Sequence, residues 1–173
     1  ITRNGGGILR VAAHYKKAFP GRDIRFFNCG ISGGGLAAAE MYFDSMLAAR
    51  KPSHVVLAFG VNDSGDPEGF RERYVALVGR IEALGAKVIL RTATPYNEFG
   101  EGTVPAVHGK DAAHRRIADE IRAFAKERRL QFLDDYEKMR ECLADGEDVF
   151  NGDRVHPNDL GQWRMAETLL SAQ

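Results

Sequence analysis

Short apolar segments alternate with longer amphipathic ones along this chain. Four runs, each bounded by turn residues, predict buried strands: Ile24–Asn28, His54–Phe59, Lys87–Thr92 and Leu130–Leu133. The stretches with helical periodicity are Ile8–Phe19, Leu36–Ala49, Pro67–Ala83, Lys110–Arg128 and Leu160–Leu170. Continuous apolar strands that alternate with helices are typical of a parallel sheet covered on both faces. The predicted fold class is therefore α/β, a three-layer α/β/α sandwich with a parallel sheet.

The length and composition fit one domain that spans residues 1–173. At 173 residues and 44% hydrophobic residues, the chain can bury a substantial core. Its 24 basic and 24 acidic residues balance, so no whole-chain field favours nucleic acid or an anionic membrane as a partner. No apolar stretch reaches the roughly 18 residues of a membrane span, and the first residues lack the layout of a signal peptide. We expect a soluble protein, with the cytoplasm favoured unless an export signal precedes Ile1.

The two cysteines do not indicate a metal or a disulfide scaffold. Cys29 and Cys142 are far apart in the sequence and lack the spacing of metal ligands. No histidine pair has ligand spacing either. We expect neither a metal nor an organic cofactor.

Near the C-terminus, a carboxylate and an imidazole lie three residues apart in Gly152-Asp153-Arg154-Val155-His156-Pro157-Asn158. Asp153 could accept a hydrogen bond from one ring nitrogen of His156, fix its tautomer and leave the other nitrogen as a general base. The alternative is a turn at the start of a helix, in which Pro157 sets the backbone and Asp153 caps its neighbours. The pattern by itself leaves both interpretations open.

A glycine-rich turn, Gly30-Ile31-Ser32-Gly33-Gly34-Gly35, joins the first predicted strand to a helix. The glycines miss the register of a dinucleotide loop, and no Gly-Lys-Ser/Thr follows as a phosphate loop would require. Gly30-Ile31-Ser32-Gly33-Gly34 fits the Gly-x-Ser-x-Gly nucleophile elbow, with Ser32 as the nucleophile. The other interpretations are an oxyanion hole built from a glycine amide, and a turn that only lets the helix pack closely on its strand.

The next predicted strand ends in Gly60-Val61-Asn62-Asp63. Because the carboxyl ends of parallel strands meet at one edge of the sheet, Asn62 is expected at the same edge as the glycine turn. Its amide could donate a hydrogen bond to an oxyanion. The alternative is an Asx turn that closes the strand.

Taken in order, these three segments resemble the SGNH, or GDSL, hydrolases over essentially the whole chain. The resemblance implies a flavodoxin-like parallel sheet and a serine hydrolase that cleaves carboxylic esters through an acyl-enzyme. It assigns His156 as the base, Asp153 as its orienting acid, and Gly33 and Asn62 to the oxyanion hole. The expected substrate is a small-molecule or carbohydrate ester with a short acyl or acetyl group.

The sequence departs from this family at the position that carries the nucleophile. The Gly-Asp-Ser block is absent, yet Ile1-Thr2 is what commonly follows it. We therefore expect the serine immediately before Ile1. In the flavodoxin-like order, the strand that precedes it lies inside the sheet, where its removal would break backbone hydrogen bonds on two neighbours.

Four further residues are candidates for contact with substrate. Tyr96 and His108 lie in the long irregular stretch from residue 94 to 109, and Arg3 and Asn4 follow the expected serine. Two rival functions remain open: a non-catalytic carbohydrate-binding module of the same fold, and an α/β-hydrolase-like enzyme that uses Ser32. The sequence predicts no oligomeric state.

Overall fold

The computed structural model describes residues 6–98 and 107–171 of the chain. Three short strands alternate with six α-helices in these ranges. The strands are β1 (His54–Ala58), β2 (Lys87–Arg91) and β3 (Gln131–Leu133). The α-helices are α1 (Gly6–Ala18), α2 (Leu36–Met41), α3 (Pro67–Ala83), α4 (Asp111–Arg128), α5 (Asp135–Ala144) and α6 (Asp159–Ser171).

The three strands form one parallel sheet in the order β1-β2-β3. Val55 aligns with Val88 across the first pair, and Leu90 aligns with Phe132 across the second. Each strand is followed by a helix, so the connections cross over as parallel pairing requires. The α/β fold with a parallel sheet is confirmed, as are three of the four predicted strands.

The prediction of a strand at residues 24–28 is wrong. The segment runs without regular secondary structure, and the side chains of Phe26 and Phe27 are 36% and 50% exposed. An apolar, aromatic run becomes a strand only where its backbone N–H and C=O groups meet those of another strand. Within residues 6–98 and 107–171, no segment forms a ladder with residues 24–28, and β1 pairs only with β2.

The stretch predicted as one helix from Leu36 to Ala49 is broken into three pieces. Helix α2 ends at Met41, a π-helical turn covers Phe43–Leu47, and a 3-10 turn covers Ala48–Arg50. The π turn brings Phe43 into the core, where its side chain is 5% exposed. Lys51 then adopts a left-handed backbone with φ of 48°, which ends the helical run ahead of β1.

The main core lies between the sheet and helices α3 and α4. Alternate residues of β1 and β2 point to this face, namely Val55, Leu57, Val88 and Leu90. They pack against apolar side chains of the two helices: Phe70, Tyr74, Leu77, Val78, Ile81, Ile117, Ile121 and Phe124. Because these residues recur at three-residue or four-residue intervals, each helix presents one apolar stripe to the sheet.

Helices α5 and α6 cover the opposite face of the sheet. Arg91, at the end of β2, donates hydrogen bonds to the fully buried carboxylate of Asp135 in α5 and to the Met165 carbonyl in α6. Helix α1 packs along α6, and the Gly7 amide donates to Gln162 Oε1 at 3.1 Å. The three predicted layers are therefore present.

Within the described residues, no helix combines the length and apolar character of a membrane span.

Candidate active site

His156 and Asp153 form a hydrogen-bonded pair just ahead of α6. His156 Nδ1 lies 2.7 Å from Asp153 Oδ2. The other carboxylate oxygen, Oδ1, accepts the backbone N–H groups of Val155 at 3.0 Å and His156 at 2.9 Å. The two side chains remain about half exposed, at 50% for Asp153 and 49% for His156. The geometry therefore unites both interpretations of the sequence: Asp153 caps the turn with one oxygen and holds the imidazole with the other.

The loop that carries the pair is closed at its base by backbone hydrogen bonds. Phe150 and Pro157 form an antiparallel bridge, and the Asn151 N–H donates to the His156 carbonyl at 2.8 Å. Arg154 takes a left-handed backbone, with φ of 61°, at the tip of the turn. Asn158 caps α6 by accepting the Gly161 N–H at 3.0 Å. These contacts fix His156 relative to the start of α6.

The electrostatics of the pair favour an ionised Asp153. Partial burial raises the pKa of this carboxyl, but hydrogen bonds from the backbone N–H groups of His156 and Val155 and from the imidazole outweigh burial and hold the pKa below its usual value. A carboxylate at Nδ1 selects the tautomer that carries hydrogen on Nδ1. The lone pair of Nε2 then remains available to accept a proton.

The glycine turn and the loop after β1 are joined by one carboxylate, that of Asp63. Its Oδ1 accepts the Leu36 N–H at 2.7 Å, and its Oδ2 accepts the Gly60 N–H at 3.1 Å. A Cβ added to Gly35 would lie 3.0 Å from Asp63 Cγ, so the close approach requires glycine there. Asp63 had no predicted role, although its place in Gly-x-Asn-Asp after a strand was a usable signal.

Asn62 lies against the glycine turn. Its Nδ2 donates to the Gly34 carbonyl at 3.1 Å, which uses one of the two amide hydrogens. Gly33 has φ of 68°, a left-handed conformation that glycine adopts without strain. Gly33 and Asn62 both line a cleft of about 430 Å³, together with Gly34, Gly35, Leu36, Ala37, Ala38, Asp63, Gly65, Asp66, Phe70 and Arg73. The structure thus brings these two predicted oxyanion residues together.

The loop after β2 connects with both parts of the site. The Asn97 N–H donates to the Arg154 carbonyl at 2.9 Å, between Asp153 and His156. The ring of His114, from α4, lies between the carbonyls of Val61 and Thr94. His114 is packed, with 2% exposure. No pattern in the sequence indicated that its ring bridges two loops.

Of the four residues predicted to contact substrate, the structure describes Tyr96 and His108. Tyr96 is half buried, and its ring centroid lies 4.1 Å from that of His114. His108 is exposed in the turn before α4. Arg3 and Asn4 lie outside the described residues.

The backbone at Ser32 differs from that of a nucleophile elbow. Ser32 is exposed in the turn, but the left-handed backbone is at Gly33 and not at Ser32. Among the described non-glycine residues, φ is positive only at Lys51, Arg129 and Arg154.

Within residues 6–98 and 107–171, no three His, Cys, Asp or Glu side chains are grouped so that they could hold a metal ion.

A comparison with protein-family models matches residues 3–164 to the GDSL-like lipase/acylhydrolase family. The chain belongs to that family. The segment matched includes the glycine turn, Asn62, Asp153 and His156. The predictions of a GDSL-type family and of an ester hydrolase are thereby confirmed at the level of the family. No curated protein matches the sequence.

Solved structures of esterases have the same fold as this GDSL-family chain. A mutant of Axe2, described as an acetyl-xylooligosaccharide esterase from Geobacillus stearothermophilus, is 22% identical with a TM-score of 0.83; the match covers 96% of this chain and 80% of Axe2. The acetyl xylan esterase AlAXEase is 22% identical with a TM-score of 0.82, covering 98% of this chain and 91% of that one. LAE5, an α/β hydrolase enzyme from the metagenome of Lake Arreo, is 22% identical with a TM-score of 0.83. The match covers 96% of this chain and 80% of LAE5.

Proposed function

We propose that this protein hydrolyses short-chain acyl esters through an acyl-enzyme. A serine immediately before Ile1 attacks the ester carbonyl, and His156 Nε2 takes the proton of its hydroxyl. The tetrahedral intermediate then expels the alcohol, to which His156 returns the proton, and water hydrolyses the resulting acyl-serine by the same steps. Asp153 orients the imidazole and stabilises its charged form.

The observation that carries this proposal is the 2.7 Å contact between His156 Nδ1 and Asp153 Oδ2. It fixes the ring on one side and leaves Nε2 as the base. The carboxylate is held in turn by two backbone N–H groups, so the pair is preorganised. Proteins described as catalytic mutants of Axe2 carry alanine in place of a serine, an aspartate or a histidine, and that aspartate and histidine are also three residues apart.

The oxyanion would be met by Gly33, by Asn62 and by the amide of the serine itself. Asn62 has a second amide hydrogen beyond the one that it donates to Gly34. The Gly33 N–H belongs to a turn that the Asp63 carboxylate ties to the Asn62 loop. Donors held in this way need little reorganisation when charge develops, which is the basis of oxyanion catalysis.

Placing the serine before Ile1 is supported by the open edge of the sheet. Among residues 6–98 and 107–171, β1 pairs on one side only, and its Val56 side chain is 38% exposed. The apolar residues 24–27 also run without regular secondary structure. A strand that precedes Ile1 would cover both, and the residue after it would emerge at the carboxyl edge beside Gly33 and Asn62.

For the substrate, we propose an acetyl or other short acyl group on a small alcohol or a carbohydrate. The cleft that Gly33 and Asn62 line has a volume of about 430 Å³, which is small among ligand sites. Similar structures are those of enzymes described as acetyl xylan esterases. The balanced charge of the chain is consistent with an uncharged ester.

The test is fluorophosphonate labelling of the full-length protein, followed by peptide mapping. We expect label on the serine immediately before Ile1, together with turnover of p-nitrophenyl acetate. His156→Ala should abolish both. His54→Ala is the matched control, because His54 is exposed at the opposite end of β1.

The alternatives predict different results from the same experiment. Label on Ser32, with loss of turnover in Ser32→Ala, would replace the proposed nucleophile by the elbow. A folded protein that takes no label and hydrolyses no ester, yet binds xylo-oligosaccharides in calorimetry, would support a non-catalytic binding module instead.

A further inference from the structure

The ring of His114 is enclosed between two backbone carbonyls from different loops. Its Nε2 lies 3.2 Å from the Val61 oxygen, and its Nδ1 lies 3.4 Å from the Thr94 oxygen. A carbonyl oxygen only accepts, so each contact is a hydrogen bond only when the facing ring nitrogen carries hydrogen. A neutral imidazole has one such hydrogen, and the shorter contact is the one to Val61.

These two carbonyls belong to the two segments that carry the proposed chemistry. Val61 directly precedes Asn62, the side chain assigned to the oxyanion. Thr94 lies in the loop after β2, in which the Asn97 N–H donates to the Arg154 carbonyl. His114 therefore contacts two loops. One is the backbone segment that carries Asn62, and the other is the loop that is hydrogen-bonded to the turn between Asp153 and His156.

The surroundings of His114 favour a neutral ring with a fixed orientation. Burial lowers its pKa, although the Thr94 and Val61 carbonyls and the carboxylates of Asp111 and Glu98 oppose this effect. The ring of Tyr96 packs on it, with centroids 4.1 Å apart. Asp111 is itself held in place, because its carboxylate accepts the Tyr96 N–H at 2.9 Å and the Tyr136 hydroxyl at 2.5 Å.

We propose that His114 is a positioning residue of this enzyme: its Nε2–H donates to the Val61 carbonyl and holds Asn62 at the oxyanion position relative to the Asp153–His156 loop. This inference rests on the proposed function. His114 acts through Val61 and touches no reacting atom. Its contribution is to the geometry of one oxyanion donor, so its loss should affect turnover more than substrate binding.

The test compares three substitutions in the natural protein. The amide of His114→Gln can reach the place of Nε2 and donate to Val61, whereas His114→Asn has a shorter side chain that reaches only toward Thr94. His114→Leu removes both ring nitrogens at similar volume. Ile121→Ala is the control for stability, because Ile121 is fully buried on the same helix among the apolar core residues.

We expect His114→Asn and His114→Leu to lower kcat by about 10-fold to 100-fold, less than the loss of a whole oxyanion donor, with KM nearly unchanged. His114→Gln should stay within about threefold of the parent protein. Ile121→Ala should lower Tm without a comparable loss of kcat. The inference is overturned if Gln and Asn lower kcat equally, or if the losses of kcat follow Tm across all four variants.

A second readout does not depend on catalysis. In the parent protein, the nitrogen chemical shifts of the His114 ring should report hydrogen on Nε2, and the side-chain amide signals of Asn62 should move in His114→Asn but not in His114→Gln. Hydrogen on Nδ1, or unmoved Asn62 signals in His114→Asn, would refute the positioning role. If the NMR result holds while the protein hydrolyses no ester, the proposed function fails and the contact between His114 and Val61 stands.

Discussion

Asp63 Oδ1 accepts the backbone N–H of Leu36 at 2.7 Å across 27 positions of sequence. The same carboxylate accepts the Gly60 N–H at 3.1 Å, so it joins the glycine turn to the loop that carries Asn62. Two candidate oxyanion donors from different parts of the chain are therefore positioned by one side chain. In the sequence, Asp63 is only the last residue of a short motif.

Replacing Asp63 by Ala should damage both stability and turnover. The substitution leaves the N–H groups of Leu36 and Gly60 without their acceptor, at a cost of about 1–3 kcal/mol in the free energy of unfolding. The oxyanion donors should also lose their mutual alignment, so kcat should fall. Urea unfolding and ester turnover measure the two effects.

The control for Asp63→Ala is Asp134→Ala. Asp134 caps α5 by accepting the Glu137 N–H at 3.1 Å, and it also accepts hydrogen bonds from the Arg122 guanidinium at 2.6 and 3.0 Å, away from the glycine turn. Its loss should destabilise the fold by about 1–3 kcal/mol. An equal fall in kcat in both variants would mean that Asp63 acts only on stability.

Replacing Asn62 by Ala should lower kcat by about 100-fold to 1,000-fold and leave KM nearly unchanged, because an oxyanion donor acts in the transition state. Asn62→Asp keeps the size of the side chain but replaces the donor by a negative charge, so it should be at least as inactive. Steady-state kinetics on p-nitrophenyl acetate checks both variants. Retained activity in Asn62→Asp would exclude the oxyanion role.

Gly161 allows α6 to approach the loop that carries Asp153 and His156. A Cβ at this position would collide with the Val149 carbonyl and lie 2.9 Å from Pro157 Cβ. Gly161→Ala should therefore destabilise the protein by about 1–3 kcal/mol and displace His156. Calorimetric Tm and ester turnover should both fall.

Gly79→Ala is the matched control for Gly161→Ala. Gly79 lies inside α3, where an added Cβ meets no atom within 4 Å. Alanine there should stabilise the helix by about 0.5–1 kcal/mol. If Gly161→Ala were also stabilising, the close approach of α6 to the Val149 carbonyl would not limit the side chain at this position.

The hydrogen bonds to Asp153 should make part of the stability depend on pH. They hold its pKa below the usual value in the folded protein, so their contribution is complete above the unfolded pKa of about 3.9 and is lost as the pH falls through the folded value. The Tm of the natural protein should exceed that of Asp153→Asn at pH 6, and the difference should shrink below about pH 4. A difference that grew on acidification would contradict the depressed pKa.

The ion pair between Arg91 and Asp135 should be sensitive to the loss of either partner. Asp135 is fully buried, and Arg91 Nη2 donates to its Oδ1 at 2.9 Å. Asp135→Ala leaves the Arg91 guanidinium, 12% exposed, without its counter-charge, and should lower the free energy of unfolding by about 3–5 kcal/mol. Arg73→Ala, which breaks a half-exposed pair with Glu40, should have a far smaller effect on the free energy of unfolding. Urea titrations of both variants make the comparison.

The sequence predicted the helices and strands that depend on local pattern. The bounds of α3 agree with its apolar periodicity, and Asp66 followed by Pro67 starts that helix as expected from capping. Asp153 and His156 were predicted as a pair because their contact spans only three residues and is made within one turn. Contacts of this range are encoded by spacing alone.

Tertiary context decided the features that depend on distant partners. Residues 24–28 have the composition of a strand, but a strand requires another backbone beside it, and composition does not supply one. Sequence pattern likewise does not reveal that Asp63 reaches Leu36 or that the His114 ring, 53 positions away, reaches the Val61 carbonyl.

The sequence by itself therefore determined the α/β class, the order of most elements and the contact between Asp153 and His156, because these follow from periodicity and short spacing. Only the tertiary structure decided which loops meet at the carboxyl edge of the sheet and which side chains join them. The physical reason is that the acceptors and donors of Asp63, Asn97 and His114 find their partners only after the strands have paired and the helices have packed.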